Sequence, residues 1–352
     1  MKASIRNKAA TPRRRPAPRG NERRLVTQHP RRRVLSFAAG AAALPAVSHM
    51  AWAQPYPTRP ITMIVPFAAG GPTDAVARVL AKQIGGSLGQ PIIVENVTGA
   101  DGTIAPGRSV RARPDGYTIE LGTMSTHMLN GAFYSLSYDL LNDFAPVALV
   151  ATTPSFLFAR KTLPAKDLNE LITWLKTNPN KASAGIGTPT YRLLTLFFQK
   201  ETATQFTLVP YRGGAQAVPD LVAGQIDLFF GNPDMLPLAR AGSIKVYATT
   251  SETRLALGPD IPTFREAGVP VPSFSPWWAL FTPKGTQKEI IERLNAASVD
   301  ALADPAARSR LADLGVEIFP REQQTPEALG ALQQADAEKW WPIIKGLAIK
   351  AE

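Results

Sequence analysis

Small and hydroxyl residues cluster where the apolar runs of this 352-residue chain break off. The run Ile61 to Phe67 ends at Ala68-Ala69-Gly70-Gly71, and a helical pattern starts at Pro72-Thr73-Asp74. Gly70 and Gly71 can take positive φ and let a ligand approach the backbone. Thr73 can cap the following helix, whose free N–H groups and positive dipole end favour an anion. Thr98 to Gly102, which includes Gly99, is a second loop of this kind, and Ser125-Thr126-His127 is a third. Gly187-Thr188-Pro189-Thr190 and Gly231-Asn232-Pro233-Asp234 repeat the composition later in the chain. Any one of them alone reads as a tight turn. Their recurrence at strand ends in both halves points to a small, anionic solute held by neutral donors, because open α/β sheets bind ligands beyond the carboxyl ends of their strands.

Other chemistries are poorly served. His127 is the sole histidine after residue 53, which excludes a multi-histidine metal site. The chain has no cysteine, hence no disulfide and no thiolate metal site. No G-x-S-x-G elbow or Walker loop is present. "GADGTIAPG" and "GIGTPT" do not fit the dinucleotide fingerprint, and no metal or other cofactor is expected. A hydrolase would have to use Ser125 and His127, which lie two residues apart and share a side if the chain is extended there. Nothing marks an orienting carboxylate or an oxyanion hole for that pair.

The net charge of +11 belongs to the first 53 residues, which hold 12 Lys or Arg and one acid, Glu22. The remaining chain carries 27 basic and 27 acidic side chains, so nucleic acid is not expected as a partner. Arg31-Arg32-Arg33-Val34-Leu35 fits the twin-arginine export motif, followed by the mildly apolar "VLSFAAGAAALPAV". That segment is too short to span a bilayer as a stable helix. Ala51-Trp52-Ala53 is an A-x-A cleavage site, so the expected mature chain starts at Gln54 in the periplasm.

Alternating strand-like and helical runs predict an α/β fold with largely parallel strands. Ile61 to Phe67, Pro91 to Glu95 and Tyr117 to Leu121 read as strands, and Asp74 to Ile84 as the first helix. Residues 144 to 160 and 274 to 284 are extended, apolar and interrupted by Pro, as expected of two crossings between domains. The expected division is a leader (1–53), a first lobe (54–152 with 276–352) and a second lobe (153–275), with a cleft between the lobes. Hinge closure is a standard behaviour of that architecture.

"YPTRPITMIVPFAAGGPTDAVAR" resembles the start of the mature solute-binding proteins of tripartite tricarboxylate transporters, the Bug family. The likeness continues through "GQPIIVENVTGADGTIA", "PDGYTIELGT", "DFAPVALVATTP", "LVPYRGGAQAVPDLVAGQIDLFF", "SETRLALGPDIPTFREAGVP" and "FTPKGTQKEIIERLNAA", in family order. It implies a type II periplasmic-binding fold, a monomer, and handover of a small organic anion to integral-membrane permease subunits. It also implies a ligand carboxylate held by the loops Ala68 to Asp74 (Ala68, Gly70, Gly71, Thr73 and Asp74, with Phe67 just before them) and Thr98 to Gly102 (Gly99), partly through ordered water and helix N-termini. The far end of the ligand would meet Ser125, Thr126, Thr188, Thr190 and Asn232. Three departures bear on the ligand. "ENVTGADG" stands where the family often has "ENRPGAGG", so Asp101 brings a negative charge near the site. "AGIGTPTYR" stands for "AGNGSTSH", which introduces Tyr191 and Arg192, the latter able to meet a second carboxylate. "FGN" stands for "FDN", which removes a partner for an amine. A carboxylate without an amine is therefore expected, such as a dicarboxylate or an aromatic acid. A ligand sensor for a signalling receptor is the family variant of this reading.

Overall fold

The computed structural model describes residues 56–346. The twin-arginine motif and the Ala51-Trp52-Ala53 site lie outside them. From the amino end come β1 (Ile61–Val65), α1 (Pro72–Leu88), β2 (Ile92–Asn96), α2 (Ile104–Ser109), β3 (Thr118–Thr123), α3 (Asn130–Phe133) and β4 (Phe144–Thr152). Then follow β5 (Phe156–Arg160), α4 (Leu168–Thr177), β6 (Ser183–Ile186), α5 (Pro189–Thr202), β7 (Thr207–Pro210), α6 (Gly214–Ala223), β8 (Leu228–Gly231), α7 (Leu236–Arg240) and β9 (Ile244–Thr249). The chain closes with β10 (Trp277–Pro283), α8 (Lys288–Ala303), α9 (Pro305–Asp313), β11 (Glu317–Ile318) and α10 (Pro326–Gly346).

Two sheets result. The first has the order β11-β4-β10-β3-β1-β2 and the second β7-β6-β8-β5-β9. Each sheet with its helices forms one lobe. The chain passes from the first to the second between β4 and β5, and returns between β9 and β10. The expectation of largely parallel strands is corrected: β1 pairs in parallel with β2 and β3, and β6 with β7 and β8, but β10, β11 and β5 run antiparallel to their neighbours. Two of the antiparallel members, β5 and β10, each enter their sheet directly from a crossing. A strand that leaves one sheet to enter the other has no crossover helix to reverse its direction, so it runs against its new neighbours.

Local signals explain the ends of the elements around the cleft. Gly71 is the N-cap of α1 and Pro72 fills its first position, where no N–H is needed. Gly89, left-handed at φ 71, stops the helix. The helix therefore runs from Pro72 to Leu88, longer at both ends than the periodic stretch Asp74 to Ile84. Thr188 caps α5 by accepting from the Tyr191 N–H at 3.3 Å. Gly213 precedes α6 and supplies no side-chain cap.

One core lies behind β1 and β3, where Met63, Val76, Leu80, Ile84 and Leu280 are buried. A larger core fills the second lobe around Phe156, Phe158, Phe198, Phe229 and Phe230 and reaches Met128, Trp277 and Trp340 of the first. The C-terminal helix α10 belongs to the larger core: Trp340 packs edge-on against Phe197 of α5 and Phe274 of the return crossing. No helix among the described residues is long and apolar enough to cross a membrane.

Candidate functional site

A cavity of about 60 Å³ lies between the lobes, lined by Phe67, Ala68, Gly71, Pro72 and Thr73, by Thr123 and Ser125, and by Thr153. The second lobe contributes Thr188, Thr190, Tyr191, Gly213, Gly214, Ala215, Gln216 and Asn232, and the return crossing Pro276, Trp277 and Trp278. None of these side chains is charged. Instead, α1, α5 and α6 all begin at the cavity wall. The N–H groups of Thr73 and Asp74, in the first turn of α1, have no backbone or side-chain acceptor among the described residues. The same holds for Gly214 and Ala215 in the first turn of α6. Unpaired first-turn N–H groups and a positive helix end favour an anion, worth about 0.3–1 kcal/mol per helix when exposed and up to ~2 when partly buried.

Two aromatic donors orient the polar side chains. Trp278 Nε1 donates to Thr73 Oγ1 at 3.1 Å, and both residues are buried. Indole can only donate, so the Thr73 oxygen is fixed as acceptor and its own O–H is left for another partner. On the opposite wall the Tyr191 hydroxyl donates to Asn232 Oδ1 at 2.8 Å, which leaves the Asn232 amide N–H groups to donate. Burial pushes the Tyr191 phenol above its ordinary value, so it remains a donor. Across the cleft, Ser125 Oγ and Thr190 Oγ1 lie 2.7 Å apart, and the Thr190 N–H donates to Ser125 Oγ at 3.3 Å. This pair closes one side of the cavity.

The structure gathers Phe67, Ala68, Gly71, Thr73, Ser125, Thr188, Thr190 and Asn232 at one place. Five expected residues stand elsewhere. Gly70, left-handed at φ 82, makes the turn behind the loop and donates its N–H to Asp74 Oδ2 at 2.9 Å. Asp74 is turned inward. Burial alone would raise its pKa, but bonds from Arg78, the Gly70 N–H and Asn96 hold it below the usual carboxylate value. Gly99 and Arg192 line a neighbouring chamber that meets the cavity at Phe67. Thr126 is fully buried against Thr123 and His127. Thr73 is not the helix cap expected of it, because Pro72 moves the helix start back and Gly71 takes that place.

The Ser125/His127 alternative loses its geometric premise. Residues 125–129 are helical, not extended. Ser125 faces Thr190, whereas His127 is fully buried and stacks on Phe281 at 4.1 Å between ring centroids. Burial pushes its pKa down to about 3, so it is neutral, and Thr126 Oγ1 lies 3.1 Å from its Nδ1.

A sequence profile described as "Tripartite tricarboxylate transporter family receptor" matches residues 76–349. The chain belongs to that family. Protein BugT of Bordetella pertussis is 37% identical over 280 residues, covering 78% of this chain and 83% of BugT. Among solved structures, the periplasmic binding protein BugD superposes with a TM-score of 0.81 at 33% identity, over 84% of this chain and 100% of BugD. MatC from Rhodopseudomonas palustris, solved with bound malate, superposes with a TM-score of 0.79 at 36% identity, over 82% of this chain and 100% of MatC. The receptor thus has the two-lobed periplasmic-binding fold that the sequence motifs implied.

Several wall residues escaped the sequence reading. Gly213 to Gln216 had a visible signal: "RGGAQAV" places two glycines before a helix, as "AGGPTDAV" does in the first lobe. Trp277 and Trp278 had none beyond their place on a crossing strand. Their role follows from β10 lying between β3 and β4 with its end at the cleft.

Proposed function

We propose that this receptor captures a small organic carboxylate without an amine in the inter-lobe cavity. One carboxylate sits at the starts of α1 and α6, the Thr73 hydroxyl and the Asn232 amide donate to it, and the aromatic walls of Phe67, Trp277 and Trp278 cover the apolar body of the solute. One observation carries this reading. The cavity offers an anion many neutral donors and offers an ammonium group no carboxylate. Neutral donors that are already oriented cost little rearrangement on binding. MatC, described with bound malate, supports a carboxylate as the class. The receptor acts as a monomer in the periplasm after twin-arginine export and cleavage behind Ala53. It passes its ligand to the permease subunits of a tripartite tricarboxylate transporter and carries out no chemistry on it.

Tryptophan fluorescence tests the reading, because Trp277 and Trp278 line the cavity. Titration with carboxylates is expected to give a saturable change, and the primary amides of the same skeletons none. Equal responses to acid and amide would contradict an anion site.

A further inference from the structure

Beyond Phe67, a second chamber of about 420 Å³ opens between the lobes, and its wall carries Asp101, Tyr134, Arg192 and Arg212. Asp101 comes from the loop after β2, and Arg192 from α5, two positions after the cavity residue Thr190. The Asp101 carboxylate accepts from the Tyr134 hydroxyl at 2.5 Å and from Arg192 Nη2 at 3.0 Å. Both members of the ion pair are largely shielded, with side-chain exposures of 21% and 17%. Resting on the carboxylate reading of the cavity, we infer that Asp101 stands where a second ligand carboxylate would otherwise sit. The receptor therefore selects solutes with a single carboxylate, and Asp101 and Arg192 determine that specificity.

Three observations carry the inference. The donor set around Asp101, a phenol and a guanidinium, is the kind that reads a carboxylate. Burial, and then the nearby Asp101 charge, hold the Tyr134 phenol at about 12, so it stays a donor. Second, Asp101 is fixed in place. Residues 99 to 102 all have positive φ, Asp101 at 52°, and the Asn130 amide donates to the Asp101 carbonyl at 3.1 Å. Aspartate visits that region more readily than most residues. Third, the cavity itself holds no cation. A second carboxylate buried there would lack a counter-charge, which is costly. To reach Arg192 it would have to displace Asp101 and leave that charge shielded and unpaired beside it. Arg212 is exposed, where an ion pair contributes little.

The test is calorimetric titration of the purified receptor with matched pairs, butanoate against succinate and benzoate against terephthalate. The expected result is that at least one monocarboxylate binds at least tenfold more tightly than its dicarboxylate partner. Asp101→Gly, which keeps the positive φ, is expected to tighten the dicarboxylate at least tenfold, and adding Arg192→Ala is expected to abolish that gain. Asp101→Asn, which keeps the shape of the side chain, is expected to move affinity in the same direction. Tighter or equal binding of the dicarboxylate by the unaltered receptor would overturn the inference while leaving the carboxylate reading intact. So would two folded variants, Asp101→Gly and Asp101→Asn, that gain nothing for dicarboxylates. Absence of binding by all four acids would overturn the carboxylate reading and the inference with it.

Discussion

Thr73→Val removes one hydroxyl and almost nothing else, because the two side chains are nearly the same shape. In the receptor the Thr73 oxygen accepts from buried Trp278 Nε1 at 3.1 Å, and its O–H is free for the ligand. Two separable losses follow. The bond to a ligand carboxylate is charge-assisted and worth about 1.5–3 kcal/mol, so Kd should rise about 10- to 150-fold. Trp278 loses its acceptor in a buried place, which should take about 1–3 kcal/mol from the unfolding free energy of the ligand-free protein. Calorimetry reads the first and urea unfolding the second. Thr73→Ser keeps the hydroxyl and should hold Kd within about threefold, since it loses only one methyl contact. Combining Thr73→Val with Trp278→Phe removes donor and acceptor together, so the unpaired-donor penalty should disappear, leaving the cost of the volume lost at position 278, while the affinity is not restored. If Thr73→Val folds and binds the carboxylate with unchanged Kd, the oriented-hydroxyl mechanism is refuted.

Three further perturbations probe the frame behind the site. A methyl on Gly187 would lie 2.5 Å from Gly214 N and 2.7 Å from Gly213 C. Both are backbone, so Gly187→Ala should cost about 1–3 kcal/mol by overpacking and weaken binding by pushing back the start of α6. Gly86→Ala, with nothing within 4 Å in α1, should be neutral or stabilising by up to ~1 kcal/mol. Glu120, fully buried, has its pKa pushed up to about 8 by burial. The unfolded chain releases that proton near the ordinary value of 4.5, so the stability contribution present below that pH is lost as pH rises towards 8. Glu120→Gln should flatten this decline, by an amount on the order of a few kcal/mol at pH 8. Unfolding free energies measured from pH 5 to 8 check it, and parallel profiles for the two proteins would contradict it.

What the sequence discloses follows the range of the interactions. The first strand, α1 and the Gly-Gly turn are local, and period and turn chemistry reveal them. Strand direction is not local. The runs of β5 and β10 are buried and apolar whichever way they run, so their antiparallel pairing leaves no mark in the residue pattern. Ser125 to Leu129 resembles a strand end in composition, yet the backbone coils there and turns Thr126 and His127 into the core while Ser125 stays at the cleft. Thr73 was legible as a residue of the strand-end loop at the cleft but not as the acceptor of Trp278, 205 positions away. Asp101 and Arg192 stood out singly, the first as an unwelcome charge and the second as a free cation. Only the folded chain shows that each answers the other.

The most direct measurement is a crystal structure of the receptor with the carboxylate that binds it most tightly. A carboxylate oxygen is predicted within roughly 2.7–3.2 Å of the Thr73 hydroxyl and of a first-turn N–H of α1 or α6, with the Asp101–Arg192 pair intact beside it. A ligand carboxylate bound instead to Arg192 or Arg212, with the helix starts facing its apolar part, would contradict the account.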